Sequence, residues 1–90
     1  MNIENSLTYA VKILTKFNIK NPKLDSEILL SKAINKDRKY IILNSSEKMK
    51  KENLKNFSNL IKRRKKGEPI AYIINSKEFW NDSFYVDKDV

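Results

Sequence analysis

The chain has 90 residues and a mass of 10.6 kDa, which is enough for one small domain with a modest core. Its residues are 40% hydrophobic and 33% charged, and the formal net charge is +8. The absence of cysteine and histidine excludes thiol nucleophiles, serine–histidine–aspartate triads, zinc-finger sites and disulfides. A single glycine excludes a glycine-rich phosphate loop, and no apolar run approaches the ~18 residues of a membrane span.

The first part of the chain predicts two amphipathic helices. Apolar residues recur there at spacings of three and four, the period of a helix with one buried face: Ile3, Leu7, Ala10, Val11, Leu14 and Phe17. Asn2 is placed to cap this helix, and Asn18 is placed to end it in a left-handed conformation. A second helix is predicted to start at Asn21-Pro22, where a capping residue precedes proline at the first helical position, and to stop at Asn35.

Three shorter or more basic segments follow. Asp37 is placed to cap a third helix over 38–43, although the apolar run there also fits a strand. A fourth helix is predicted over about 51–66, because its cationic last turn is followed by Gly67, a typical helix end. Pro69 then begins a short segment over 70–74, which we predict to be a helix. A strand is the alternative, because this segment is rich in β-forming residues.

The apolar period changes to two at Ser76, and two β-rich runs flank Asn81-Asp82, which predicts a β-hairpin. The predicted fold is therefore all-α: a small bundle of four to five helices over residues 1–75, with a C-terminal β-hairpin over 76–90. An isolated hairpin is only marginally stable, so it must pack on another element. The predicted core consists of Leu7, Val11, Leu14, Ile28, Leu29, Leu54, Phe57, Leu60, Ile61 and Tyr72.

The carboxylates are scattered along the chain and do not indicate a catalytic, cofactor-binding or metal site. Asp25 and Glu27 lie two residues apart, so they point to different sides of a helix. We expect Asp25 to favour the first helical turn and Glu27 to pair with Arg38 or a nearby lysine.

The densest cluster of charge is the run 62–66 at the predicted end of the fourth helix. One interpretation is a solvated helix end that complements the helix dipole. The other is a docking patch for an acidic protein or for phosphates, with Lys62, Arg63, Lys65 and Lys66 as candidate partner-binding residues. Arg64 differs because it falls on the apolar face of the helix. We expect it to make a buried ion pair with Glu68 or Glu78.

Aromatic residues cluster in the predicted hairpin. Phe79, Trp80 and Phe84 are candidate interdomain contact residues, since they can form a docking face or a hairpin core. A base-stacking surface is the alternative, but such a surface needs interleaved cations. Acidic residues intervene here instead, namely Glu78, Asp82, Asp87 and Asp89, and these would repel phosphate.

The sequence resembles the N-terminal domain of the HemK-type (PrmC) glutamine methyltransferases, which modify the Gly-Gly-Gln motif of peptide chain release factors. The resemblance covers essentially the whole chain and departs from the family at Asn75 and Asn81, where the family often has glycine. The matching residues are Pro22-x-Leu24-Asp25-x-Glu27-x-Leu29-Leu30, Asp37-Arg38-x-Tyr40-x-x-Leu43, Arg63-Arg64-x-x-Gly67-Glu68-Pro69-Ile70-Ala71-Tyr72-Ile73, Glu78-Phe79-Trp80 and Phe84-x-Val86-Asp87.

The resemblance implies that residues 1–75 form a helical substrate-recognition domain and that the hairpin leads to a Rossmann-like methyltransferase domain. In the family, that second domain binds S-adenosylmethionine and the target glutamine. Because the chain ends at Val90, before those motifs, no catalytic or cofactor residue is carried over, and we expect the chain alone to be inactive. The implied partners are a class I release factor and the missing catalytic domain.

Other functions remain open at this point. A related substrate is a ribosomal protein, and a further possibility is that the domain only props the catalytic half. From another class, the +8 charge is compatible with a basic helical module that binds nucleic acid. We consider nucleic acid the weaker partner, because no helix presents exposed Arg, Asn or Gln at successive turns as a groove reader would. A start without a basic-then-apolar signal pattern predicts a cytoplasmic protein.

Overall fold

The computed structural model describes residues 1–75, which form five helices. They are α1 (Ile3–Lys16), α2 (Pro22–Ile34), α3 (Arg38–Leu43), α4 (Lys51–Lys65) and α5 (Ile70–Ile74). The all-α prediction is confirmed, and both segments that also fitted strands are helices. The predicted hairpin, with Phe79, Trp80 and Phe84, lies outside the described residues. In the part of the chain that is described, no helix is long and apolar enough to cross a bilayer.

Short polar side chains set most ends of the first three helices, although the predicted cap Asn21 makes no side-chain hydrogen bond at the start of α2. Asn2 Oδ1 accepts a hydrogen bond from the Asn5 amide at 2.7 Å, and Asp37 Oδ1 accepts one from the Tyr40 amide at 2.8 Å. Asn18 and Asn35 follow α1 and α2 with φ of 61° and 60°. Asparagine tolerates this left-handed conformation better than other residues with a Cβ, so it ends both helices without glycine.

The core lies around α2, which packs against each of the other four helices. This position explains why α2 is apolar on a wide face and buries more of its residues than any other described helix. The buried hydrophobic residues are Ile3, Ala10, Leu14, Leu29, Leu30, Ala33, Ile41, Phe57, Leu60, Ile61 and Ile73.

The prediction that Tyr72 belongs to the core is wrong. Its side chain is 63% exposed, and the next residue, Ile73, is fully buried in its place. A helix of five residues makes little more than one turn, so the turn before it, rather than an apolar period, decides which side chain faces inward. The other predicted core residues are buried or half-buried, with Leu7, Val11, Ile28 and Leu54 at the margin.

The start of the chain is tied to the connection between α3 and α4. The Met1 carbonyl accepts a hydrogen bond from the Met49 amide at 3.0 Å, and the amide of Ile3 donates to the Glu47 carbonyl at 2.9 Å. These bonds place the beginnings of α1 and α4 side by side. At the other end, the Lys65 ammonium lies over the Phe17 ring, so α1 and α4 run alongside each other in the same direction.

Candidate protein-interaction site

The predicted partner-binding cations lie on the last turn of α4 and just after it. Lys62 and Lys66 are exposed. Lys65 is half-buried, and its Nζ stands 5.1 Å from the centroid of the Phe17 ring. This distance is that of a cation–π contact, which holds the ammonium in place while leaving it accessible to an anion.

Arg63 is held by the chain that follows it. Its Nε and Nη2 donate to the two carboxylate oxygens of Glu68 at 2.9 and 3.0 Å, and its guanidinium lies 6.0 Å from the Tyr72 ring centroid. The hydrogen bonds from Arg63 hold the pKa of Glu68 below its ordinary value of 4.5. A role for Arg63 in binding a partner stays a prediction, because its guanidinium also organises this turn.

Arg64 makes the buried ion pair that its position on the apolar face predicts, but with Asp25 and not with Glu68. The other predicted partner, Glu78, lies outside the described residues. The Arg64 Nε donates to Asp25 Oδ2 at 2.8 Å, and the Arg64 Nη1 donates to the backbone carbonyl of Glu68 at 2.7 Å. The Glu68 carboxylate is engaged by Arg63 instead, and Asp25 reaches Arg64 because α2 packs on α4. The side chains of Arg64 and Asp25 are only 19% and 8% exposed.

The two arginines together fix the connection over 66–69, which we call the α4–α5 turn. Arg63 binds a side chain of this turn, while Arg64 binds its backbone and links it to α2. Gly67 has a φ of +103°, and an added Cβ would meet nothing within 4 Å. Glycine is therefore required by backbone conformation and not by crowding.

A groove with an apolar floor runs between α1 and α4. It contains a cavity of about 180 Å³ whose lining holds no charged side chain: Met1, Ser6, Tyr9, Leu54, Phe57, Ser58 and Ile61. Met1 and Tyr9 are more than half exposed at its rim. We call this surface the α1–α4 groove. This groove is not among the sequence predictions, although Tyr9, Ile13 and Phe17 lie four residues apart and form a second apolar line along α1.

A second groove lies on the other side of α1, against α2 and α3. It is larger, at about 410 Å³, and mixes Leu7, Val11 and Ile42 with Glu4, Lys23 and Glu27, among others. We call it the α1–α3 groove. At its edge, the predicted pair of Glu27 and Arg38 is confirmed, with Nη2 and Oε1 2.9 Å apart.

Three carboxylates of the described residues are held in ion pairs. Within residues 1–75, no group of three carboxylates comes together in a way that could hold a metal ion. The Asp25 and Glu27 carboxylates are each engaged by an arginine, as is that of Glu68. What the surface does offer is an apolar groove with lysines at one end, which suits binding of a protein.

A family model described as the PrmC N-terminal domain matches residues 5–74, most of the chain and nearly all of the helical part. The chain belongs to the PrmC N-terminal domain family. This member of the family therefore folds as a bundle of five helices over its described residues. No solved structure matches the chain.

Curated relatives agree with this assignment. A release factor glutamine methyltransferase of Buchnera aphidicola subsp. Schizaphis graminum is 44% identical over 86 residues, which is 96% of this chain and 30% of the relative. The corresponding protein of Aliivibrio fischeri is 36% identical over 81 residues, or 90% and 28% of the two chains. A bifunctional methyltransferase of Rickettsia conorii is 38% identical over 89 residues, 99% of this chain and 17% of the relative. The chain therefore spans less than a third of the relatives it matches.

Proposed function

We propose that this chain is the substrate-recognition domain of a release factor glutamine methyltransferase. It binds a class I peptide chain release factor and positions it, so that the glutamine of the Gly-Gly-Gln motif reaches a separate methyltransferase domain that uses S-adenosylmethionine. The observation that carries this proposal is the family match over residues 5–74, together with the names of the relatives. The chain itself performs no methyl transfer.

The distribution of charge supports a role in binding an acidic protein. All three arginines are used in internal ion pairs, with Asp25, Glu27 and Glu68. Residues 1–75 then retain 14 lysines against four other carboxylates. Such a surface attracts an acidic partner from a distance and speeds encounter. The lysines at the end of α4, Lys62, Lys65 and Lys66, are the proposed contacts, and Arg63 beside them shapes the turn.

Remote binding also fits the chemistry that the family resemblance implies. A single side-chain amide gives an enzyme few contacts at the reacting atom, so orientation and binding energy must come from elsewhere on the substrate. A second domain that contacts the same substrate raises the effective concentration of the glutamine at the catalytic domain. In this scheme, Phe79, Trp80 and Phe84 are the proposed contacts with the catalytic domain.

Calorimetric titration of the 90-residue chain with a class I release factor, at about 0.15 M salt, tests the proposal. We expect binding to the release factor in the micromolar range. We expect no binding to a duplex oligonucleotide whose total negative charge matches that of the release factor. Affinity for the release factor should fall as salt rises from about 0.05 to about 0.5 M, because screening weakens exposed charge pairs. Binding to the oligonucleotide alone would favour the nucleic-acid module, and binding to neither would reduce the domain to a structural prop.

A further inference from the structure

We propose that the α1–α4 groove binds an amphipathic helix of a protein partner, which inserts one apolar side chain into the groove and places acidic side chains over Lys62 and Lys65. Only the identity of the partner as a release factor rests on the function proposed above. The surface and the chemistry of its occupant follow from the groove itself.

The apolar end of the groove can hold one side chain of a partner. Its cavity of about 180 Å³ is lined by Leu54, Phe57 and Ile61 on α4 and by Met1 and Tyr9 at the rim. Met1 and Tyr9 are 59% and 54% exposed, so the rim of the cavity presents apolar surface to solvent. A cavity of about 150 Å³ in a protein core holds a benzene ring, so this one accommodates a single leucine, methionine or phenylalanine side chain.

The cationic end of the groove is formed by lysines of α4. Ser58 and Ile61 line the cavity. On α4, Lys62 follows Ser58 by four residues, and Lys65 follows Ile61 by four residues. Residues four apart lie on the same face of a helix, about 6 Å further along its axis. The two lysines therefore lie about one turn beyond the cavity residues that they follow. Lys65 is also fixed against Phe17, which continues the apolar line of Tyr9 on α1.

The shape of the groove suits a helical occupant. Two helices that run side by side leave a groove that suits a third helix, which is recognised through anchors spaced three, four and seven residues apart. An apolar anchor in the cavity then places acidic residues four and seven positions away over the two lysines. A nucleic acid carries phosphates along its whole length and offers no apolar side chain for the cavity, so the pattern favours a protein.

The α1–α3 groove does not compete for the same occupant. Although it is larger and has the exposed side chain of Ile42 at its edge, its lining includes Glu4 and Glu27. Glu4 is exposed, and its carboxylate would repel an acidic helix. This groove therefore provides control positions on a second, more charged surface, with the opposite expectation.

The first experiment measures binding of the 90-residue chain to a class I release factor. Ser58→Trp fills the cavity from an exposed position, and Lys62→Glu with Lys65→Glu reverses the cationic end. We expect each to weaken binding at least tenfold, as for central contacts of an interface. Ile42→Ser and the charge-matched pair Lys23→Glu with Lys39→Glu, both outside the groove, should change affinity less than about threefold. If the wild-type chain binds and the groove variants bind equally well, the groove is not the contact surface, whereas the proposed function stands.

A second experiment decides the matter if the wild-type chain does not bind the release factor, which would refute the proposed function. The probe is a synthetic helix of about 20 residues with one leucine anchor and glutamates four and seven positions on. Its counterpart carries lysines at the same positions. At about 1 mM, we expect the acidic peptide to shift the amide resonances of Tyr9, Ser58 and Lys62 saturably, and the basic peptide to leave them unchanged. Equal shifts with both peptides, or none with either, would overturn the inference.

Discussion

The Asp25→Asn substitution removes one charge from the ion pair between Asp25 and Arg64, in which both side chains are largely buried. Asparagine keeps the shape and one acceptor oxygen, so the change isolates the charge. Losing one partner of a buried pair costs about 3–5 kcal/mol, because the remaining charge stays desolvated. Arg64 is 19% exposed and keeps its bond to the Glu68 carbonyl, so we expect about 2–3 kcal/mol. For a domain of this size, that loss lowers the melting temperature by roughly 8–24 °C.

Chemical denaturation followed by helical circular dichroism gives the free energy of unfolding directly. The matched control is Glu27→Gln, since Arg38 is 50% exposed and its pair should contribute less than about 1 kcal/mol. A double-mutant cycle with Arg64→Met should give a coupling energy of about 1–3 kcal/mol between Asp25 and Arg64. If Asp25→Asn costs no more than Glu27→Gln, exposure does not govern these pairs and the reasoning fails.

Three further outcomes are expected. Leu60→Ala should lower the free energy of unfolding by about 2–5 kcal/mol, because Leu60 is 5% exposed in the core; an unchanged thermal midpoint would contradict this. Ser26→Ala should leave stability unchanged or raise it by up to about 1 kcal/mol, because the buried Ser26 hydroxyl has no hydrogen-bond partner; denaturation showing a loss above about 1 kcal/mol would disprove it. The Arg63–Glu68 pair lowers the pKa of Glu68, so its contribution is present above the unfolded value of 4.5 and is lost as pH falls through the lower folded value. Denaturation as a function of pH should therefore show a weaker acid dependence for Glu68→Gln than for the wild type, and superimposable profiles would argue against the pair.

Local chemistry made much of the fold predictable. The caps at Asn2 and Asp37, the left-handed Asn18 and Asn35, and the glycine after α4 are each determined by residues within one turn. Sequence alone therefore placed the helix ends, including those of the two segments whose apolar runs also fitted strands. The pairing of Glu27 with Arg38 was also predictable, since 11 residues separate the two within one helix–turn–helix unit.

Tertiary packing determined the rest. Asp25 and Arg64 are 39 residues apart, and only the packing of α2 on α4 brings them together, so local spacing favoured Glu68 instead. Tyr72 was misplaced because a five-residue helix has too few turns to define a face. The α1–α4 groove was missed because it depends on the alignment of two helices that the sequence does not pair.

The hydrogen bonds that tie the first residues to 45–49 have a practical consequence for anyone who labels this protein. Because Met1 lines the cavity, a tag or dye attached to its amino group lies at the mouth of the α1–α4 groove. A bulky amino-terminal fusion would therefore act as a competitor in any binding assay. A small fluorophore at the same place would instead report directly on whether the groove is filled.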